Sequence, residues 1–313
     1  MDNRHAKFDA LIAQCRGLEP VLVAVAHPCD AASLTGAVEA AQAGLIRPIL
    51  VGPEARIRRI ATENGLDIAG MLLLDAPHSH AAATQAVALV RAGRAEALMK
   101  GSLHTNELMA EIIAKETGLR TERRVSHVFI MDVSSYPKLL FITDAAVNIF
   151  PTLEDKVDIV ANAIGLAQAL GIATPKVAIL SAVETVTAKL PSTIEAAALC
   201  KMAERGQITG GLLDGPLAFD NAINPAAAAA KGIISAVAGN ADILVVPDLE
   251  AGNMLAKTLS FLAGADAAGI VLGARVPVIL TSRADDVRTR LASCAVAAIL
   301  HHTRRATAAI AAE

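Results

Sequence analysis

Ser282 and Arg283 follow the apolar run PVIL after a single intervening residue, Thr281. An arginine at a strand end can hold a phosphate through two parallel N–H bonds, while a neighbouring hydroxyl donates to a developing oxyanion. The same pair also suits an N-cap followed by a surface arginine. Similar polar steps follow other apolar runs: Lys100, Gly101 and Ser102 after ALM, Thr143 and Asp144 after LLFI, Asp214 and Gly215 after GLL, Asp248 after ILVVP, and Thr281 before the Ser-Arg pair. In open parallel sheets ligands gather beyond the carboxyl ends of strands, where loops and helix N-termini present N–H groups and a positive dipole. Each step alone reads equally well as a turn or cap. Their recurrence points to a site.

The segment Asp248-Leu-Glu250-Ala-Gly252-Asn253 follows a strand and opens a helical stretch. Gly252 would let backbone approach a ligand and Asn253 could bond it, with a plain βα turn as the competing reading. The chain lacks G-x-G-x-x-G, G-x-x-x-x-G-K-[ST], G-x-S-x-G and H-E-x-x-H, which removes support for the common nucleotide folds and for hydrolase and metalloprotease chemistry. His78 and His80, or His301 and His302, would bind a metal only with further ligands, so no metal site is expected. Cys200 precedes Lys201 but sits in a helical apolar pattern, which reads as packing rather than as an acyl-carrying thiolate.

These polar steps need a scaffold. The runs VLVAV at 21–25, PILV at 48–51, ALM at 97–99, KVAIL at 176–180, DILVV at 242–246 and PVIL at 277–280 read as buried strands. Between them lie helical patterns. After Pro151, Val157, Val160, Ala161, Ile164 and Ala167 share one face, with Thr152 and Asp155 as a capping box and Gly171 as a stop. The stretch from Pro191 repeats the theme, with Ser192 and Glu195 as a second box and Gly206 as its end. VSHVFIMDV (125–133) and KLLFITD (138–144) are joined by a link too short for a helical crossover and predict an antiparallel hairpin near a domain junction. The Ala-rich tract 226–230 predicts helix, and the tail ATAAIAAE predicts a frayed end.

With 313 residues, about two domains are expected. The chain is 54% hydrophobic yet only 2% aromatic and has no Trp, so Ala, Val, Ile and Leu must fill the interior, which favours layered helices and strands. A net charge of −3 with scattered Lys and Arg argues against a nucleic-acid partner. Cys15, Cys29, Cys200 and Cys294 show no C-x-x-C spacing, and the start MDNRHAKFDA is not a secretory stretch, so a cytoplasmic protein is expected. The apolar segment 263–280 is broken by Asp266 and Arg275, short of a membrane span.

MKGSLHTNELM, KETGLRTERRVSHVFIMDV, YPKLLFITDAAVNIFP, LDGPLAFDNAI, ADILVVPDLEAGNMLAKTL and VPVILTSRADD occur in one order and at coherent spacing. From about residue 20 to residue 300 the chain resembles the phosphate acetyl/butyryltransferase family. The resemblance implies an α/β fold similar to the isocitrate and isopropylmalate dehydrogenases. Two α/β/α three-layer domains would then surround a cleft, one of residues 1–136 with 268–313, the other of 137–267. It also implies the reaction acyl-CoA plus phosphate giving acyl phosphate and CoA, by direct attack in a ternary complex. Ser282 and Arg283 match the family's catalytic pair. Asp285 and Asp286 are the candidate bases, because Thr289 stands where acetyl-branch relatives carry the acid. Those relatives also place an Arg where 107–115 has none, leaving Lys100, Arg123 or Arg124 for phosphate. Both departures favour the butyryl branch.

The shared motifs add substrate-binding candidates: Gly101, Ser102 and Thr105; Thr143, Asp144 and Asn148; Asp214, Asp220 and Asn221; Asp248, Glu250, Gly252 and Asn253. By the same resemblance CoA is a substrate, no cofactor is tightly bound, and the chain forms a homodimer. Two other readings stay open. One is an NAD- and metal-dependent hydroxy-acid dehydrogenase using Asp214, Asp220 and Asp248 as ligands. The other is a non-catalytic sensor of CoA or acyl phosphate. Acyl chain length is left open, since a pocket separates neighbouring methylene counts by only about 1–3 kcal/mol.

Overall fold

The computed structural model describes residues 5–281 and 285–312. In chain order its elements are α1 (Ala6–Gln14), β1 (Val21–Ala26), α2 (Ala31–Gln42), β2 (Ile46–Gly52), α3 (Glu54–Glu63), β3 (Leu72–Asp75), α4 (Ser79–Arg91), β4 (Ala97–Lys100), α5 (Thr105–Ile113), β5 (Ser126–Asp132) and β6 (Leu140–Thr143). There follow α6 (Leu153–Ala169), β7 (Lys176–Leu180), α7 (Pro191–Glu204), β8 (Leu212–Leu217), α8 (Phe219–Ile223), α9 (Pro225–Ala230), β9 (Ile243–Val245), α10 (Leu249–Leu262), β10 (Asp266–Leu272), β11 (Val278–Ile279) and α11 (Val287–Ala312). No helix among the described residues is long and apolar enough to cross a membrane.

Contacts divide the chain into two compact units, one of Phe8–Val125 with Ala268–Glu313, the other of Met1–Lys7 with Ser126–Ala267. The first boundary falls at 125/126 rather than at the expected 136/137. The reason is the hairpin: β5 pairs antiparallel with β6, Val128 opposite Thr143 and Met131 opposite Leu140, so both strands stay in one unit.

In the unit holding the N-terminal half, the strand order is β3-β2-β1-β4-β11-β10. β1 pairs parallel with β2 on one side and with β4 on the other, and β11 continues parallel to β4. Helices cover such a sheet on both faces, which is why β1 and β4 are nearly unbroken apolar runs, Val23 to Ala26 and Ala97 to Met99 being buried. Each Leu, Ile or Val taken fully out of water contributes about 1.5–3 kcal/mol. Chain order makes this sheet chemically useful. β2 and β3 extend to one side of β1 and β4 to the other, so the direction of winding reverses between β1 and β4 and leaves a crevice at their carboxyl ends.

The second unit has the order β5-β6-β9-β7-β8, with β6, β9, β7 and β8 parallel. Its core packs Ile142, Leu244, Ala178 and Leu217 against the partly buried Leu255 and Leu259 of α10. α6 opens with the expected box between Thr152 and Asp155, and Gly171 follows it at φ +94°. α7 has no such box. Pro191 occupies its first turn, Ser192 Oγ lies 2.8 Å from Ser181 Oγ, and Glu195 pairs with Lys156 of α6. Asp214 and Gly215 do not end a strand: β8 continues through them to Leu217, with a register irregularity against β7. The C-terminal tail is helical to Ala312 rather than frayed.

Candidate functional site

Four helices of the first unit start around the crevice between β1 and β4. Asp30 caps α2, accepting from Ser33 N–H at 2.7 Å. Arg56 lies in the first turn of α3, Ser79 opens α4, and Glu107 lies in the first turn of α5. Together with His27, Ser102 and His104 they line a cavity of about 510 Å3. Four helix N-termini give it a positive backbone potential. Ser79 beside Glu107 holds that carboxyl below its ordinary range, and Glu107 Oε1 takes a long bond from His104 N–H at 3.4 Å. Glu107 Oε2 is buried without a hydrogen-bond partner, with His80 Nε2 at 3.7 Å, beyond hydrogen-bond reach.

His27 is the one described non-glycine residue with positive φ, at +55°, a conformation that side chains with a Cβ disfavour. Its carbonyl holds it there, accepting from Ser102 N–H at 2.8 Å, Cys29 N–H at 2.8 Å and Ser102 Oγ–H at 3.0 Å. The Ser102 oxygen also accepts from Cys29 N–H and lies beside His27 Nδ1, each at 3.2 Å. Burial, followed by the charge of Arg56, holds the His27 pKa below its ordinary value, so the ring is neutral. Gly101 permits this crossing: a Cβ there would stand 2.4 Å from Ala26 O and 2.5 Å from His27 O.

Of the residues that line this cavity, the sequence singled out Ser102, next to Gly101, and not His27, Asp30, Arg56, Ser79 or Glu107. The one visible signal was His27-Pro-Cys-Asp30 directly after VLVAVA, another polar step beyond a buried strand.

Other expected residues of this unit are placed as follows. Lys100 ends β4, buried, with Nζ donating to Gly101 O at 3.3 Å. Thr105 opens α5, half-buried. Arg123 and Arg124 are exposed between α5 and β5 and do not line the cavity. Burial, followed by the charge of Arg123, lowers the pKa of Arg304. Ser282 and Arg283 lie outside the described residues. Before them, Thr281 accepts from the buried Arg290 at 3.0 Å, a cation the sequence did not advertise. Gly36 makes room for it, since a Cβ there would meet Arg290 Cδ at 2.4 Å. Asp286 Oδ1 accepts from Thr289 N–H at 2.9 Å, which makes it a helix cap, and Asp285 is half-buried.

The second unit gathers Thr143, Asp144 and Asn148 beside Asp248, Gly252 and Asn253. Asp144 is the centre. Its Oδ1 accepts from Ala146 and Val147 N–H at 2.9 and 3.0 Å. Its Oδ2 accepts from His127 N–H at 3.1 Å, Asn148 N–H at 3.2 Å and Asn148 Nδ2 at 2.6 Å. Burial raises its pKa against the pull of these donors. Both oxygens are committed, so Asp144 organises the loop rather than abstracting protons. Thr143 Oγ1 is likewise spent on His127 O at 2.8 Å. Asp248 caps α10 through Ala251 N–H at 2.9 Å, and Asn253 Nδ2 donates to Ala145 O at 3.2 Å. Gly252 is required, because a Cβ would come within 2.9 Å of Ala145 Cβ and 2.7 Å of Val246 Cγ2. Glu250 in the same turn is exposed.

His127, on β5, is fully buried with its Nδ1 unpartnered among the described residues, edge-on to Phe129 at 4.4 Å. Burial pushes its pKa from 6.5 down to about 3. A depressed histidine leaves stability intact above pH 6.5 and removes it as pH falls toward 3, because only the unfolded chain then takes up the proton. At about 1.4 kcal/mol per unit, moving to pH 5 should cost about 2 kcal/mol. Urea unfolding at pH 7 and pH 5 checks this: His127→Gln should lose that part of the pH dependence, and an unchanged difference would refute it.

Asp214, Asp220 and Asn221 serve separate local roles. Asp214 Oδ1 accepts from Gly215 N–H at 2.9 Å, Asp220 is exposed on α8, and buried Asn221 donates to Glu184 at 3.4 Å, beside the Lys231–Glu184 ion pair of 2.7 Å. With Asp248 engaged as a cap, the three aspartates do not form the ligand set that the dehydrogenase reading needs. Burial pushes the thiols of Cys15 and Cys29 up to about 11 and those of Cys200 and Cys294 up to about 12, so none is an activated nucleophile at neutral pH.

A family model described as phosphate acetyl/butaryl transferase matches residues 77–298. The chain is 69% identical over 301 residues to the phosphate acetyltransferase of Rhizobium meliloti, covering 96% of this chain and 95% of the relative. It is 41% identical over 293 residues to the phosphate butyryltransferase of Clostridium acetobutylicum, covering 94% and 97%. A solved branched-chain phosphotransacylase from Enterococcus faecalis V583 matches with a TM-score of 0.79 at 31% identity, covering 90% of this chain and 99% of that one. A 4-hydroxythreonine-4-phosphate dehydrogenase from Burkholderia phymatum, with a TM-score of 0.51 at 14% identity over 90% and 98%, shares the fold alone, in keeping with the expected dehydrogenase-like architecture.

Proposed function

Given that the chain belongs to the phosphate acetyl/butyryl transferase family, we propose that it moves an acetyl group reversibly between CoA and inorganic phosphate. The observation that carries the acyl assignment is the 69% identity with a phosphate acetyltransferase, against 41% with a butyryltransferase. The butyryl preference drawn from Thr289 and from the missing arginine in 107–115 gives way. Those are single contacts, whereas the identity extends over 96% of the chain.

In the proposed reaction a phosphate oxygen attacks the thioester carbonyl, a C–O bond forms, the C–S bond breaks, and the CoA sulfur leaves with the electron pair and takes a proton. Arg283 holds the phosphate and Ser282 donates to the oxygen on which charge develops. In the reverse direction a carboxylate takes the thiol proton. Asp285 and Asp286 are the candidates for that role, and Asp286 Oδ1 also accepts from Thr289 N–H. The high thiol pKa values support direct transfer without a cysteinyl intermediate. CoA enters as a substrate, no metal or prosthetic group is invoked, and a homodimer in the cytoplasm belongs to the same proposal.

The test is phosphate-dependent CoA release from acyl-CoAs of increasing length. Acetyl-CoA should exceed butyryl-CoA at least tenfold in kcat/KM, within the roughly 10- to 200-fold that pocket packing supplies per methylene. A butyryl preference would reverse the acyl assignment while leaving the reaction class in place.

A further inference from the structure

We infer that Arg290 and Ser293, in the first two turns of α11, are positioning residues: they hold the exit of β11 at Thr281, to which Ser282 and Arg283 are joined by the next two peptide bonds. The inference rests on the reaction proposed above, but its residues come from a closed ring of hydrogen bonds.

β11 is only two residues long, too short for its own ladder to fix where it ends. The ring does so instead. Arg290 Nη1 donates to Thr281 Oγ1 at 3.0 Å. One residue back, Leu280 N–H donates to Gly269 O of β10 at 3.1 Å, and Gly269 N–H donates to Ser293 Oγ at 3.1 Å. Ser293 Oγ–H donates to Thr289 O at 2.8 Å, and the peptide bond from Thr289 to Arg290 closes the circuit. Thr281, Thr289, Arg290 and Ser293 are all buried, so water does not compete for these bonds. Burying a guanidinium is costly, and a methionine would fill the same space without that cost, which gives the charge a task at Thr281. α2 confines the side chain from the other side, since a Cβ on Gly36 would stand 2.4 Å from Arg290 Cδ and 3.3 Å from its Cβ. A fixed exit matters because a displacement of about 1 Å in a reacting group can cost about 100-fold in rate.

Thr281→Val keeps the shape and removes the hydroxyl, Thr281→Ser keeps the hydroxyl, and Arg290→Met keeps the length without the charge. In phosphate-dependent CoA release from acetyl-CoA, kcat should fall about tenfold or more in Thr281→Val and in Arg290→Met, with KM for acetyl-CoA within about twofold of wild type. Thr281→Ser should stay within about threefold in kcat, and the double variant Thr281→Val/Arg290→Met should lose little beyond Arg290→Met alone, because one bond cannot be removed twice. A residue that only held the fold together would lower the folded fraction in thermal melts and leave kcat per folded molecule unchanged. Should Arg290→Met fail to fold, Gly36→Ala takes its place, since it displaces the arginine without altering it. Wild-type kcat in Thr281→Val, or full addition of the two losses, would overturn the inference. Tryptic cleavage after Arg283, followed by mass spectrometry, reads the same frame without turnover and should run about tenfold or more faster in Thr281→Val than in wild type. With an active wild type kcat decides, and its failure leaves the reaction in place. With a wild type that forms no acetyl phosphate the reaction assignment fails and cleavage decides: faster cleavage keeps the frame, and equal cleavage overturns it too.

Discussion

Replacing Arg283 with alanine is expected to lower kcat/KM for acetyl phosphate formation roughly 100- to 1000-fold, the usual cost of removing one preorganised donor from a developing charge. The melting temperature should stay within about 2 °C of wild type if the loss is one of chemistry and not of folding. The residue lies between β11, which ends at Ile279, and α11, which begins at Val287. β11 runs parallel to β4, with Ile279 opposite Met99, so the chain leaves β11 on the same side of the sheet as Lys100 and Ser102 leave β4. That strand pairing is one ground for proposing that a cation following PVIL takes part in the chemistry. Circular dichroism melts with initial rates check the prediction. Wild-type turnover in a folded Arg283→Ala would remove this residue from the mechanism.

The second large effect is on stability. Asp144→Asn should cost about 3–5 kcal/mol, because one carboxylate oxygen becomes an NH2 facing N–H donors whichever way the amide turns. Turned toward Oδ1's partners, it strands Ala146 and Val147 N–H. Turned the other way, it strands His127 N–H and both Asn148 donors. Guanidinium unfolding at pH 7 measures the cost. A loss below about 1 kcal/mol would show that the loop tolerates an amide and that Asp144 does not organise it.

Much of the scaffold was legible because parallel strands buried on both faces are written as apolar runs. β1, β2, β4, β7, β9 and β11 each coincide with one. The β5–β6 hairpin was legible from its short link, which no crossover helix could span. Three strands were not. Asp266 opens β10 and made DAAGIVL look like an interrupted apolar window, β3 is short and partly exposed, and β8 carries Asp-Gly-Pro in its middle. The candidate residues divided for a similar reason. Strand-end polarity is visible in sequence, so Lys100, Ser102, Asp144 and Asp248 could be named as candidates from it. Sequence could not show that the aspartates' oxygens are already taken by N–H groups, because that depends on loop geometry. Nor could it assemble the cavity, whose walls come from four separate loops brought together only by the order β3-β2-β1-β4.

The central claim is direct transfer of an acetyl group from sulfur to phosphate, and steady-state kinetics address it most directly. With acetyl-CoA and orthophosphate varied together, the purified protein should form acetyl phosphate and CoA in equal amounts, with double-reciprocal lines that intersect. Parallel lines accompanied by an acetylated protein, or CoA release without acetyl phosphate, would contradict it.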